Sequence, residues 1–273
     1  MKKPIRTSPD PRTSFRQFAE GFRVQRRVLS ALMIRELIVR YGRQNIGFLW
    51  VIIEPMILTV GVMFLWSVLK GGHEHGIQIV AFVLTGYMPL TLWRHNCAVG
   101  VWFFRSRIGL LHHQQITLID TILARLILEF IATSVAFAVV YIALVSADVI
   151  RPLEDLGPIV VGWTLLGLIS MGFAVLFAVL TEIYEIFEHF YGPFQYFMLP
   201  ISGAFFMVEW LPSYAQELIW YNPTAHCYEM IRQGFFGDYV QTHYTIWYPA
   251  LCALILLAAG FLLVERVRDY LRL

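Results

Sequence analysis

Apolar residues gather into six runs about as long as a bilayer-spanning helix, and every other feature of the chain has to fold around them. The runs are Ile46–Leu69, Ile77–Trp93, Thr121–Val145, Gly157–Leu180, Phe190–Val208 and Ile246–Val264. None alternates apolar and polar residues in the way a lipid-facing barrel strand does. Backbone polar groups in hydrocarbon must be satisfied within their own segment, so the runs are read as six transmembrane helices of an all-α, polytopic membrane protein. Composition agrees, since 58% of residues are hydrophobic and only 15% charged.

The segments between the runs set the organisation. Residues 1–13 hold Pro4, Pro9 and Pro11 without periodicity and are expected to form a disordered cytoplasmic tail. Over residues 14–45, Phe15, Phe18 and Phe22, then Leu29, Leu32, Met33 and Leu37, recur at helical spacing, while Arg16, Arg23 and Arg27 fall on another face. That pattern predicts an amphipathic helix lying in the membrane interface; a cytosolic helix packed on a partner gives the same pattern. The six-helix unit covers 46–264 and a cytoplasmic C-terminus 265–273. Between the fifth and sixth runs, residues 209–244 are predicted to form two short re-entrant helices, Ser213–Trp220 and Thr224–Phe236, each begun near a proline (Pro212, Pro223) and the second stopped by Gly237. Their aromatics, Trp210, Tyr214, Trp220, Tyr221, Tyr228, Phe235 and Phe236, are expected at the membrane interface.

Basic residues give the orientation. Eleven precede Trp50 (Lys2, Lys3, Arg6, Arg12, Arg16, Arg23, Arg26, Arg27, Arg35, Arg40, Arg43), Arg94, Arg105 and Arg107 lie in the connector after the second run, and Arg266, Arg268 and Arg272 close the chain. Lys70, Arg151 and Arg232 are alone on the alternate side, so both termini are expected in the cytoplasm. The loop 181–189 belongs to the cytoplasmic side by parity, although it carries Glu182, Glu185 and Glu188 and no cation.

One anomaly stands out inside the first run. Glu54 and Pro55 place a carboxylate and a missing backbone donor in an apolar helix, which requires protein or water around them. Trp50, Glu54, Ile57, Gly61, Phe64 and Ser67 fall on one helical face, and Tyr191, Phe194, Tyr196 and Phe197 give the fifth run a second aromatic surface. Flat rings stack on the C–H faces of sugars, so both surfaces are candidates for a glycan path, with bundle-core packing the competing explanation for each ring. Arg40 and Arg43 are candidates for attracting an acidic substrate at its entry. Arg125 and Glu129, four residues apart, are expected to form a structural ion pair in the third helix.

Other chemistry is less well supported. The chain has no GxxxxGK[ST] phosphate loop, so any ATP and Mg²⁺ belong to a separate chain, and no cofactor is expected on this one. His73 with His75 and His112 with His113 lack the spacing of a metal site, and no metal is expected. An integral membrane glycan or acyl transferase is the alternative from another class. It would need a nucleophile or base constellation, and no GxSxG is present. No nucleic-acid partner is expected.

The segment ALMIRELIVRYGRQNIGFLWVIIEP (Ala31–Pro55) resembles the opening motif of the type-2 ABC export permeases of capsular polysaccharide. LIDTILAR (Leu118–Arg125) resembles the start of that family's third helix, and YNPTAHCYEMIRQGFFGDY (Tyr221–Tyr239) its segment before the last span. The resemblance implies a non-enzymatic permease of the bacterial inner membrane: a homodimer joined to two ABC ATPase subunits, moving a lipid-linked polysaccharide from cytoplasm to periplasm, with partners reaching towards the outer membrane. Permeases for O-antigen or teichoic acid share the architecture. The resemblance also implies that the connector touches the ATPase, with Arg94, Arg105 and Arg107 as candidate coupling residues beside Glu182 and Glu185; the run His112 to Gln115 departs from the basic, proline-containing stretch expected there.

Overall fold

The computed structural model describes residues 11–41, 46–70, 73–74, 76–101, 103–104 and 117–270. Among them are nine helices: α1 (Pro11–Tyr41), α2 (Ile46–Lys70), α3 (Ile79–Gly100), α4 (Leu118–Ser146), α5 (Leu156–Ile183), α6 (Ile186–Ile201), α7 (Ser213–Ile219), α8 (Pro223–Phe236) and α9 (Trp247–Tyr270). A minimal antiparallel pairing, β1 (His73–Glu74) with β2 (Ile77–Gln78), turns the chain between α2 and α3. Among the described residues, three segments are long and apolar enough to cross a membrane: Leu118–Ser146, Leu156–Ile183 and Trp247–Val264. The apolar part of α2, Ile53–Leu69, is shorter.

Helix α5 is the central post, packed against α9, α8 and α3. Its glycines make that possible. A Cβ at Gly162 would lie 2.7 Å from the Cys227 carbonyl oxygen on α8, and one at Gly172 would lie 2.6 Å from Leu256 Cβ on α9. Helices without a hydrophobic driving force between them gain from such close approach. Rings fill the core where α4, α5 and α8 meet, with Phe137 stacked on Trp163 at 4.8 Å and on Phe235 at 5.9 Å.

Local signals fix the helix starts. Thr117 and Asp120 form a reciprocal capping box at α4, Asp155 caps α5 through the Gly157 N–H, and Pro223 occupies the first turn of α8 behind the Asn222 cap. Helix α1 packs along α4 and α2, and the Gln25 side-chain amide donates to the Asp120 carboxylate, so one aspartate both caps α4 and holds α1.

Several boundaries differ from the sequence reading. The helix read from residue 14 starts at Pro11 and ends at Tyr41, which brings residues 11–13 out of the expected tail. The second span runs seven residues past Trp93, because Trp93, Asn96, Cys97 and Gly100 continue a buried face at helical spacing. Arg94 therefore stands on α3 and not in a connector. The acidic loop 181–189 shrinks to Tyr184 and Glu185, with Glu182 buried at the end of α5 and Glu188 in the first turn of α6. The fifth span stops at Ile201, short of Val208, since Pro200 and Gly203 (φ +95°) redirect the chain. Helix α9 continues past Val264 into the charged end as far as Tyr270. Arg43, Arg105, Arg107, His75 and the run 112–115 lie outside the described residues, as do residues 1–10.

Candidate functional site

The predicted face of α2 is largely uncovered within one chain. Trp50, Ile57 and Phe64 are 52%, 56% and 71% exposed, Gly61 is exposed, and Glu54 and Ser67 are half-buried. Pro55 is buried beside them, and the Thr59 hydroxyl donates to its carbonyl at 2.8 Å. Arg40 lies near the end of α1, and its side chain is outside the described ones.

The four aromatics of α6 divide. Phe194 and Tyr191 turn inward: Phe194 lies 5.3 Å from Phe177 and 5.5 Å from Phe173, and Tyr191 meets Phe177 edge-on at 5.4 Å. They seat α6 on α5, while Tyr196 and Phe197 point away, exposed. Trp93 completes the seat, packing on Phe173 at 5.2 Å and donating its indole N–H to Gln195 Oε1 at 3.2 Å. No residue of α6 is fully buried, so this aromatic seat and one indole hydrogen bond are its main described attachment to α3 and α5.

Between α2, α3 and α6 this arrangement leaves a groove of about 430 Å³. Tyr87, Thr91, Arg94 and His95 line it from α3, Tyr191, Gln195 and Tyr196 from α6, and Leu58 from α2. Arg94 is exposed and, among the described residues, has no carboxylate in ion-pair range. His95 turns to α4 instead. Its Nδ1 lies 3.7 Å from Glu129, whose other oxygen accepts from Arg125 Nη2 at 2.5 Å. The carboxylate is only 4% exposed, so its desolvation is offset by the guanidinium on its own helix. Arg94, placed in the sequence reading with the coupling residues, is thus a lining residue of a polar groove; Glu182 is buried and Glu185 exposed, away from that lining.

A second polar centre holds the segment between α6 and α9. Arg232 is fully buried, donates to the Ala204 carbonyl at 2.9 Å and to the Phe206 carbonyl, and lies 4.5 Å over the Phe82 ring. Glu229, 3.8 Å from it, accepts the Val208 N–H at 3.2 Å and the His243 N–H at 3.1 Å. Asn222 Nδ2 donates to the Ile201 carbonyl at 2.7 Å, fixing the turn out of α6. His226 Nδ1 accepts the Thr245 N–H at 3.1 Å, so Nε2 carries the proton and donates to the Trp220 carbonyl at 2.9 Å. Burial holds that imidazole below its ordinary pKa. These residues stitch α8 to the turns on both sides of it. Tyr228 and Phe235, expected at the membrane interface, are buried in the core with α8, whereas Tyr214 and Tyr221 remain exposed.

Residues 27–236 match the model of the family described as ABC-2 type transporter. The chain belongs to the ABC-2 type transporter family. Among curated relatives, this ABC-2 member is 37% identical over 249 residues to the capsule polysaccharide export inner-membrane protein CtrC of Neisseria meningitidis serogroup B, covering 91% of this chain and 94% of that one. It is 33% identical over 248 residues to the capsule polysaccharide export inner-membrane protein BexB of Haemophilus influenzae, with the same coverage. The polysialic acid transport protein KpsM of Escherichia coli is 25% identical over 254 residues, covering 91% of this chain and 96% of that one. The family match takes in the α2 face, the groove and the Glu229–Arg232 centre. Tyr87, Thr91, His95 and Gln195 were not singled out by the sequence. His95 and Arg94 sat beyond the last apolar residue of the second run, and only a buried face continuing to Gly100 signals that the helix carries on.

Proposed function

We propose that this ABC-2 member is the membrane permease of an ATP-driven exporter that moves a lipid-linked capsular polysaccharide from cytoplasm to periplasm. It works as a homodimer with two ATPase subunits that bind ATP and Mg²⁺. Six spans, α2 to α6 and α9, cross the inner membrane with both termini in the cytoplasm, in keeping with the distribution of Lys and Arg. The names of the relatives support the cargo, and the missing phosphate loop supports a separate ATPase. Partners reaching towards the outer membrane approach the side of α7 and α8.

The observation that carries the reading is the pair of uncovered aromatic faces on α2 and α6 flanking one polar groove. Placed against a second copy, those faces enclose a path with ring walls, which slide along a glycan without holding it tightly. ATP-driven closure of the ATPase pair then tilts the two halves and alternates which end of the path is open. Reconstitution with the ATPase in vesicles tests this. Glycan should become lumenal or external in an ATP-dependent way, and hydrolysis should rise with substrate. Vesicles that hydrolyse ATP while moving no glycan would refute it.

A further inference from the structure

We infer that the groove between α3 and α6 is a subsite for an oxyanion of the transported molecule, held by Arg94 and the Gln195 amide. The inference rests on the permease reading and adds a position and a chemistry to it.

Four observations converge. Arg94 brings a guanidinium to the groove with no carboxylate among the described residues to neutralise it, whereas the neighbouring Arg125 is already committed to Glu129. Gln195 is held by its oxygen, which accepts from the Trp93 indole, and this orients the amide. Its buried Nε2 has no acceptor in hydrogen-bond geometry among the described residues, with the Cys97 thiol and the Tyr191 hydroxyl beside it. A buried N–H donor without a partner is costly, and because Gln195 lines the groove, a turn of its amide towards the groove would give that donor a ligand oxygen. The Thr91 hydroxyl spends its proton on the Tyr87 carbonyl at 2.9 Å, so the groove's remaining donors are Arg94, Gln195, His95 and the tyrosine hydroxyls. Its volume of about 430 Å³ falls within the range of small-ligand sites, and Tyr87 and Tyr196 supply ring faces for a sugar or glycerol carbon.

A planar guanidinium recognises a phosphate or a carboxylate through paired N–H donors, and an amide N–H adds a further single donor. Both sources are present in a lipid-linked acidic glycan: the phosphate of the lipid and the carboxylate of a sugar acid. Since α6 is anchored lightly, occupancy of Gln195 and Arg94 together would bridge α6 to α3 and report a loaded groove to the helix that lines the path.

The full chain in phosphatidylcholine nanodiscs is titrated with three probes: dihexanoylphosphatidylglycerol, tetragalacturonate and maltotetraose. The expected result is that at least one anionic probe binds about tenfold more tightly than maltotetraose, and that Arg94→Gln removes the advantage. Gln195→Leu should weaken the same probe about threefold to tenfold. Arg94→Lys, which keeps the charge, should hold binding within about threefold and shows that loss in Arg94→Gln is not misfolding. Preference for the lipid probe or the sugar acid names the source. Equal binding of all three probes, or an anionic advantage unchanged in Arg94→Gln, overturns the subsite. The permease reading falls separately, by absence of ATP-dependent export from wild-type vesicles; export with no anionic preference leaves it standing and removes the subsite alone.

Discussion

Replacing Arg232 by methionine tests whether the buried polar centre holds the segment before the last span in place. The side chain is 0% exposed, and methionine keeps much of its volume while deleting every donor. The Ala204 and Phe206 carbonyls lose their guanidinium partners, each a penalty of about 1–3 kcal/mol when no water replaces it. Glu229 keeps the Val208 and His243 N–H groups but loses its opposite charge 3.8 Å away. Breaking a buried ion pair from one side costs about 3–5 kcal/mol, and the estimate for Arg232→Met falls there. For a chain of this size that corresponds to a drop of about 10 °C in the midpoint of thermal loss from the monodisperse peak in detergent. Adding Glu229→Gln should recover part of the loss, because the stranded charge disappears. Arg232→Lys should not rescue, since one ammonium cannot reproduce a fork aimed at two carbonyls. An Arg232→Met midpoint within about 2 °C of wild type, or a double variant no better than the sum of its singles, would refute the argument.

Three further outcomes follow from the geometry. Gly86→Ala should prevent stable folding, because its Cβ would lie 2.1 Å from the Ala204 carbonyl oxygen; Gly61→Ala, with nothing within 4 Å, should leave thermal stability within about 0.5 kcal/mol, as size-exclusion melting would show. Asp120→Ala removes the carboxylate half of the α4 capping box and the Gln25 bond together, so it should cost about 1–2 kcal/mol, and protease sensitivity of α1 should rise with it. His226 has its pKa lowered by folding from 6.5, so the unfolded chain binds more protons and stability falls as pH drops below about 6.5; His226→Gln should flatten that slope in melts taken between about pH 7 and 5.

Much of the helix plan was legible because its signals are local. The apolar runs, the proline behind the Asn222 cap, the Gly237 stop (φ +54°) and the Arg125–Glu129 spacing each depend on a few adjacent residues. What escaped depends on partners distant in sequence. Arg94, His95 and Asn96 look like the start of a polar connector, yet Asn96 Nδ2 donates to Ser170 Oγ at 2.8 Å, so the helix continues with that end of the buried amide paired. Tyr228 and Phe235 look interfacial by type, but Gly162 and Gly234 let α8 approach α5 closely enough to bury them. The motif residues Asn222, His226, Glu229 and Arg232 give no hint in sequence that each ties α8 to a different neighbouring turn or loop.

The same distinction bears on the path itself. Aromatic type alone made Tyr191, Phe194, Tyr196 and Phe197 equivalent, whereas packing divides them into a seat facing Phe173 and Phe177 and a free surface of Tyr196 and Phe197. The seat rings hold α6 at the angle that opens the groove, so shrinking Phe194 to alanine should cost about 3–5 kcal/mol if its site were a full core position, and less in proportion to its half-burial. Tyr196→Ala should cost the isolated chain almost nothing and act on export alone. If instead Tyr196→Ala destabilises the monomeric chain as much as Phe194→Ala does, Tyr196 is a packing residue and the α6 face offers no wall to a glycan.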